Sequence, residues 1–153
     1  MRNTTLIYII KDGKYLMLNR AGKKHDLNEG KWIGVGGKVE EKETPERCAI
    51  REAYEETGLK LTDIRFRGIV YFISDEYESE FMFLYTSDRF SGEPKTESDE
   101  GILEWIDIDK VASLKIWEGD KLFLELLRKD APLFEMELRY EGDKLVHSEW
   151  RYI

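Results

Sequence analysis

The sequence predicts an α/β protein in which a mixed β-sheet lies between helices. Three observations carry that expectation. β-branched and aromatic runs dominate the chain, one capped helix falls mid-chain, and a second, amphipathic helix falls late. A length of 153 residues suits a single domain spanning 1–153, with enough chain for a core and a cleft.

Residues 4–10, TTLIYII, read as a strand, Asp12-Gly13 as a hairpin turn, and 15–19 as the returning strand. Residues 20–31 are polar and glycine-bearing, hence a loop, and 32–35 form a short strand before Gly36-Gly37. Thr44 followed by Pro45 signals a helix start, with Thr44 as N-cap; the helix runs to about Thr57 and stops at Gly58. On that helix Ile50, Ala53, Tyr54 and Thr57 are expected to face the sheet. Residues 64–74 and 80–87 form paired strands, 91–100 a loop, 102–108 a strand, and 109–113 a turn or short helix. Leu122, Leu126 and Leu127 share one face of a helix over 121–129. The tail alternates around Glu141-Gly142-Asp143 and reads as a final hairpin of 133–140 and 144–152.

The chain carries 24 basic and 32 acidic residues, a net charge of −8. That balance disfavours duplex nucleic acid, whose phosphates must be neutralised by Lys and Arg. It permits a small phosphorylated ligand if a divalent cation supplies positive charge. No stretch approaches the ~18 apolar residues of a membrane span, and the N-terminus lacks a small-residue cleavage site. The single cysteine, Cys48, excludes an internal disulfide and fits a reducing cytoplasm. It reads as a small packed residue on the mid-chain helix. His25 and His147 have no partner motif and read as incidental.

The chemistry concentrates in Arg51-Glu52-Ala53-Tyr54-Glu55-Glu56. At about 100° per residue, Glu52, Glu55 and Glu56 share an arc of roughly 100°. They repel one another, and they lie near the helix C-terminus, where the dipole disfavours negative charge. Such an array costs stability unless cations sit within it; otherwise it is a solvated acidic face. Oxygen-only ligands clustered this way suit Mg²⁺ or Mn²⁺. Glycines such as Gly36-Gly37 let the chain turn and let a carbonyl approach a metal. Glu43, eight residues before Arg51, can pin the loop to the helix by an ion pair.

From Gly37 to Leu59 the pattern is Gly37, five residues, Glu43, seven residues, Arg51-Glu52-Ala53, one residue, Glu55-Glu56, one residue, Gly58-Leu59. This resembles the complete Nudix box, with Ala53 standing where a bulkier apolar residue is usual. The resemblance implies an α/β/α sandwich and metal-assisted hydrolysis of nucleoside diphosphate derivatives. It makes Glu52, Glu55 and Glu56 metal ligands joined by the Gly36 carbonyl, and Glu43 and Arg51 a structural brace. Gly30-Lys31-Trp32 through Lys38, Glu97-Ser98-Asp99-Glu100, Trp105 and Trp117 with Asp120 resemble the MutT-type 8-oxo-dGTP diphosphatases, especially the animal MutT homologue. By that resemblance Glu100, ahead of Glu97, adds a carboxylate to the metal cluster. Glu56 or Glu100 acts as the base, with Glu55 beside them. Trp117 stacks on a purine and Asp120 bonds its edge, while Lys23, Leu27, Ile33 and Phe72 line the same pocket. Ile33 replaces a base-reading asparagine, and Gly119 replaces the first of two adjacent acids.

The resulting expectation is a cytoplasmic, Mg²⁺-dependent enzyme, monomeric or homodimeric. It converts nucleoside triphosphates, such as 8-oxo-dGTP, to monophosphate and pyrophosphate. The alternatives are a Nudix hydrolase of ADP-ribose, a dinucleoside polyphosphate or an unmodified dNTP, and, more remotely, a non-catalytic nucleotide sensor.

Overall fold

The computed structural model describes residues 1–20 and 28–153. In chain order its elements are β1 (Arg2–Lys11), β2 (Lys14–Asn19), β3 (Trp32–Ile33), α1 (Pro45–Thr57), β4 (Lys60–Ser74), β5 (Glu80–Ser91), β6 (Glu97–Ser98), β7 (Gly101–Asp107), a 3₁₀ turn (Ile108–Ser113), α2 (Asp120–Arg128), β8 (Phe134–Glu141) and β9 (Lys144–Tyr152). Among the described residues the strands form one nine-stranded sheet, ordered β6-β7-β2-β1-β5-β4-β8-β9, with β3 paired to β2. The β1/β5 and β4/β8 pairs are parallel and the other strand pairs antiparallel, so the sheet is mixed.

Alternation along β1 sorts the core into two layers. Ile7 and Ile9 pack with Ala49 and Ala53 of α1. Tyr8, between them in sequence, packs with Phe123, Leu124 and Leu127 of α2. Successive side chains of a strand point to opposite faces, so the two helices cover opposite faces of the sheet, as the α/β/α expectation requires.

Local signals place α1 closely. Thr44 has extended backbone and its hydroxyl accepts the Arg47 amide at 3.2 Å; Pro45 opens the helix. Gly58 adopts φ +80° and its amide donates to the Tyr54 carbonyl at 2.9 Å. The face buried against the sheet differs from expectation. Tyr54 is 59% exposed, while Cys48, Ala49, Ala53 and Thr57 are buried. Small side chains let the helix lie close to the sheet, and this seam is where Ala53 belongs. Its burial also carries Glu56 inward.

Four other expectations change in extent. β4 begins at Lys60 and β5 reaches Ser91, because register shifts absorb the polar residues around Asp63. The Ser87 hydroxyl donates to the Asp63 carbonyl at 2.6 Å across that irregularity. The 91–100 segment holds the short strand β6, and β3 ends at Ile33, with Val35 forming only an isolated bridge to Ile7.

Candidate active site

The loop after β3 lies along β1. The Thr5 amide donates to the Gly37 carbonyl at 2.9 Å and the Ile7 amide to the Val35 carbonyl at 2.6 Å. A Cβ at Gly36 would run into the Thr5 carbonyl oxygen, and one at Gly37 into the Glu52 carboxyl group. At Gly36 only glycine allows this approach to the backbone, whereas a side chain at Gly37 would push the Glu52 carboxyl group aside.

Arg51 ties the loop to α1. Its Nε donates to Glu43 Oε2 at 2.7 Å and its Nη2 to Glu43 Oε1 at 2.9 Å, a bidentate pair. Nη1 also donates to Glu52 at 2.9 Å and to Glu55 at 3.3 Å. The Arg51 guanidinium, helped by the Glu40 amide, holds the Glu43 carboxyl down at about 2. The arrangement predicts energetic coupling. Arg51→Ala and Glu43→Ala should each lower activity while metal binding persists, and the double variant should lose less than their sum. A cycle measured in kcat/KM checks this; strictly additive losses would mean the two residues are not partners.

Glu56 is 8% exposed, and one of its oxygens accepts the Gly36 amide at 3.4 Å. Burial, then the Glu52 charge, pushes its carboxyl up to about 8, against the pull of that amide. Burial also raises Glu52, opposed by Arg51. Glu100 reaches the same place from the β6–β7 turn, where Arg20 Nη1 grips its Oε2 at 2.6 Å. Glu52, Glu55, Glu56, Glu97 and Glu100 line one cleft of about 420 Å³, together with Lys95, Ser98 and Asp99, so its carboxylates and hydroxyl offer oxygen donors beside one ammonium group. These oxygens are donors of the kind hard divalent cations take.

A second cavity, of about 390 Å³, shares Glu52, Glu56 and Glu100 with that cleft and extends to Ile33, Phe72, Trp117 and Asp120. Trp117 is fixed on several sides. Its Nε1 donates to Asn28 Oδ1 at 2.7 Å, Phe72 and Tyr140 meet it edge-on at 5.3 and 4.9 Å, and Lys31 Nζ lies 4.3 Å over the ring. Asp120 is buried, and burial raises its carboxyl to about 8, opposed by Lys31. Gly119 has a spatial reason: a Cβ there would lie 2.6 Å from Leu138 Cδ1 and 2.7 Å from Tyr140 Oη. Its amide donates to that hydroxyl at 2.7 Å. The C-terminal hairpin thus fills the space a side chain at 119 would need.

Lys23 and Leu27, expected pocket residues, lie outside the described residues, as does His25. Sequence reasoning missed Arg20, Asn28, Lys31 and Tyr140. Arg20 and Asn28 sit in a segment read only as loop, and Lys31 entered only through the Gly30-Lys31-Trp32 resemblance, with no role of its own. Tyr140 is buried by long-range packing that no local signal announces. On the β8–β9 hairpin the His147 ring and the Glu137 and Glu149 carboxylates come within 4.8 Å of one another. Arg139 already pairs with Glu137 there at 2.8 Å.

The raised carboxyls make stability pH-dependent. Glu56 and Asp120 have ordinary values near 4.5 and 3.8 and rise to about 8 in the fold. Their contribution to stability is full below the ordinary values and is lost as pH rises through about 8. The stabilisation from the lowered Glu43 is fully present above its ordinary value and is lost only as pH falls toward about 2, so it is constant across this window. Metal-free protein should therefore melt at a lower temperature at pH 9 than at pH 5, and a divalent cation should restore part of the difference. Melting curves in chelator would contradict this if the midpoint stayed level or rose.

The chain matches the NUDIX domain over residues 1–127. The oxidized purine nucleoside triphosphate hydrolase of Danio rerio is 36% identical over 124 residues, covering 80% of this chain and 77% of that protein. An uncharacterized Nudix hydrolase of Bacillus subtilis is 30% identical over 156 residues, covering 99% of this chain and 87% of that protein. The crystal structure of a MutT protein from Bacillus halodurans superposes with a TM-score of 0.88 at 26% identity, over 98% of this chain and 97% of that one. With an unbroken box between residues 37 and 59 and its glutamates gathered in one cleft, the chain belongs to the Nudix hydrolase family.

Proposed function

We propose that this Nudix hydrolase is a Mg²⁺-dependent pyrophosphohydrolase that removes oxidised purine nucleoside triphosphates such as 8-oxo-dGTP. It would release the nucleoside monophosphate and pyrophosphate, act in the cytoplasm, and use all of residues 1–153 as one domain. The observation that carries this reading is the junction of the two cavities. Carboxylates suited to a cation and its bound phosphates share Glu52, Glu56 and Glu100 with a pocket walled by Trp117, Phe72 and Asp120.

The donors fit a divalent cation on their own chemistry. Glu56 is a buried carboxyl whose charged form lacks a cationic partner strong enough to offset burial, so its proton stays on to about pH 8. Glu52, Glu55, Glu56, Glu100 and the Gly36 carbonyl would hold the ion. When bound, it neutralises phosphate charge and lowers the pKa of water. Arg20 orients Glu100, and the Arg51–Glu43 brace orients Glu52 and Glu55. Glu56 or Glu100 takes the proton of the attacking water, with Glu55 at the rim. Attack at the β-phosphorus leaves the monophosphate as leaving group. Trp117 supplies a stacking surface and Asp120 hydrogen bonds to the base edge.

A screen of oxidised and ordinary nucleotides, with coupled pyrophosphatase and phosphate detection, tests the reading. 8-oxo-dGTP should be turned over with pyrophosphate release. ADP-ribose or dinucleoside polyphosphates as the sole substrates would overturn it. Ile33, unable to hydrogen-bond a base, favours unmodified dNTPs as the second reading.

A further inference from the structure

The pocket has a polar floor that neither the box nor Trp117 and Asp120 account for. Strand register sets it out. Phe72 of β4 lies opposite Glu80 of β5, and Glu80 lies beside Arg2 of β1. One step along, Val70 lies opposite Met82, and Met82 beside Thr4. Cross-strand partners share a face, and Phe72 and Val70 belong to the core layer around Trp117. Arg2, Thr4, Glu80 and Met82 accordingly line the same cavity as Trp117 and Asp120.

Two of these groups are unusual for a sheet surface turned to a core layer. Glu80 is 9% exposed, with Oε1 taken by Arg2 Nη2 at 3.2 Å. Thr4 is 5% exposed, and its hydroxyl is buried without a hydrogen-bond partner. Burying a carboxyl group and an unpaired hydroxyl is costly unless a ligand satisfies them. Burial raises the Glu80 carboxyl, and Arg2, with the nearby Thr4 hydroxyl, offsets part of that cost, while the Thr4 hydroxyl makes no closer hydrogen bond of its own. The pair offers one acceptor and one donor on the sheet side of the pocket, while Asp120 enters from α2.

An 8-oxopurine differs from its parent on one edge: N7 carries a hydrogen and C8 a carbonyl oxygen. The unmodified base has a lone pair at N7. We propose that Glu80 and Thr4 form a second polar subsite that reads this oxidised edge, Glu80 accepting the N7 hydrogen and Thr4 donating to an adjacent carbonyl oxygen. The proposal rests on the purine-nucleotide reading of the site. It gives the pocket a discriminating contact although Ile33 cannot supply one. An unmodified purine would set its N7 lone pair against a carboxylate and leave the Thr4 hydroxyl poorly used.

Calorimetric titration of metal-free protein with 8-oxo-dGMP and dGMP tests the subsite without requiring turnover. Wild type should bind 8-oxo-dGMP the more tightly. Glu80→Gln, which keeps shape but adds a donor, should reduce that preference by roughly 10-fold or more, the scale of a hydrogen bond to a charged group. Thr4→Val, nearly isosteric, should reduce it by roughly 2- to 10-fold. Melting curves report whether each variant folds, and the ratio of the two affinities is insensitive to a partly unfolded fraction. The proposal is overturned if wild type does not distinguish the two nucleotides. It is equally overturned if Glu80→Gln leaves the ratio unchanged, or if both affinities fall together. A Glu80-dependent preference in a protein that releases no pyrophosphate would keep the subsite and retire the pyrophosphohydrolase reading. Pyrophosphate release from 8-oxo-dGTP without that preference would do the reverse.

Discussion

Replacing Glu56 by Gln is expected to lower kcat by at least ~10²-fold, the low end of the contribution of a general base. The change keeps the shape of the side chain and removes one charge and one proton acceptor. The Gly36 amide still finds an oxygen. Folding should not suffer. Glu56 is buried beside Glu52 and Glu100, so the neutral amide relieves repulsion and desolvation in metal-free protein. The variant should therefore melt higher than wild type at pH 9 in chelator and gain less from added Mg²⁺. Steady-state kinetics at saturating Mg²⁺ check the first part. Retention of more than half the wild-type kcat would remove Glu56 from the site's chemistry.

The second large effect is at Trp117. Stacking of a base on an aromatic ring is worth about 1–3 kcal/mol, so Trp117→Ala should raise KM for purine nucleotides roughly 5- to 150-fold. The ring is also well buried, and its loss leaves a cavity beside Phe72 and Tyr140. A stability loss of about 3–5 kcal/mol is therefore expected as well. Trp117→Phe separates the two roles, because it keeps a stacking ring and much of the packing while losing the hydrogen bond to Asn28. Its KM should lie much nearer wild type. Asp120→Asn removes an ionisable group that holds its proton to about pH 8 and fixes one donor and one acceptor in its place, and should shift the ratio of kcat/KM between oxidised and ordinary purines more than it shifts the melting temperature. An unchanged KM for every purine in Trp117→Ala would make the tryptophan core alone.

What was legible in the chain followed the range of the forces involved. Thr44, Pro45 and Gly58 act on neighbouring residues, and they mark the ends of α1 where the structure has them. The turn at Gly142 likewise separates β8 from β9 as the alternation suggests. Spacing alone brought Glu52, Glu55 and Glu56 toward one side of α1. It did not reveal that Glu56 turns inward, because burial depends on the small seam of Ala49 and Ala53 against the sheet. The expectation for Tyr54 erred for a related reason: its helix position set it opposite the glutamates, but the buried stripe runs along Ala49, Ala53, Glu56 and Thr57 and leaves Tyr54 outside. Contacts between distant segments left no local trace. Arg20 meets Glu100 across 80 residues, and Arg2 meets Glu80 across 78. Both depend on β2 lying against β7 and β1 against β5.

The central claim is that the glutamate cleft and the aromatic pocket act together to cut a purine nucleoside triphosphate between its α- and β-phosphates. Turnover of 8-oxo-dGTP with Mg²⁺ in ¹⁸O-labelled water, followed by mass spectrometry of both products, tests it most directly. Attack at the β-phosphorus predicts unlabelled 8-oxo-dGMP and pyrophosphate carrying the label. Release of inorganic phosphate with a nucleoside diphosphate, label in the monophosphate, or no turnover at all would contradict the account.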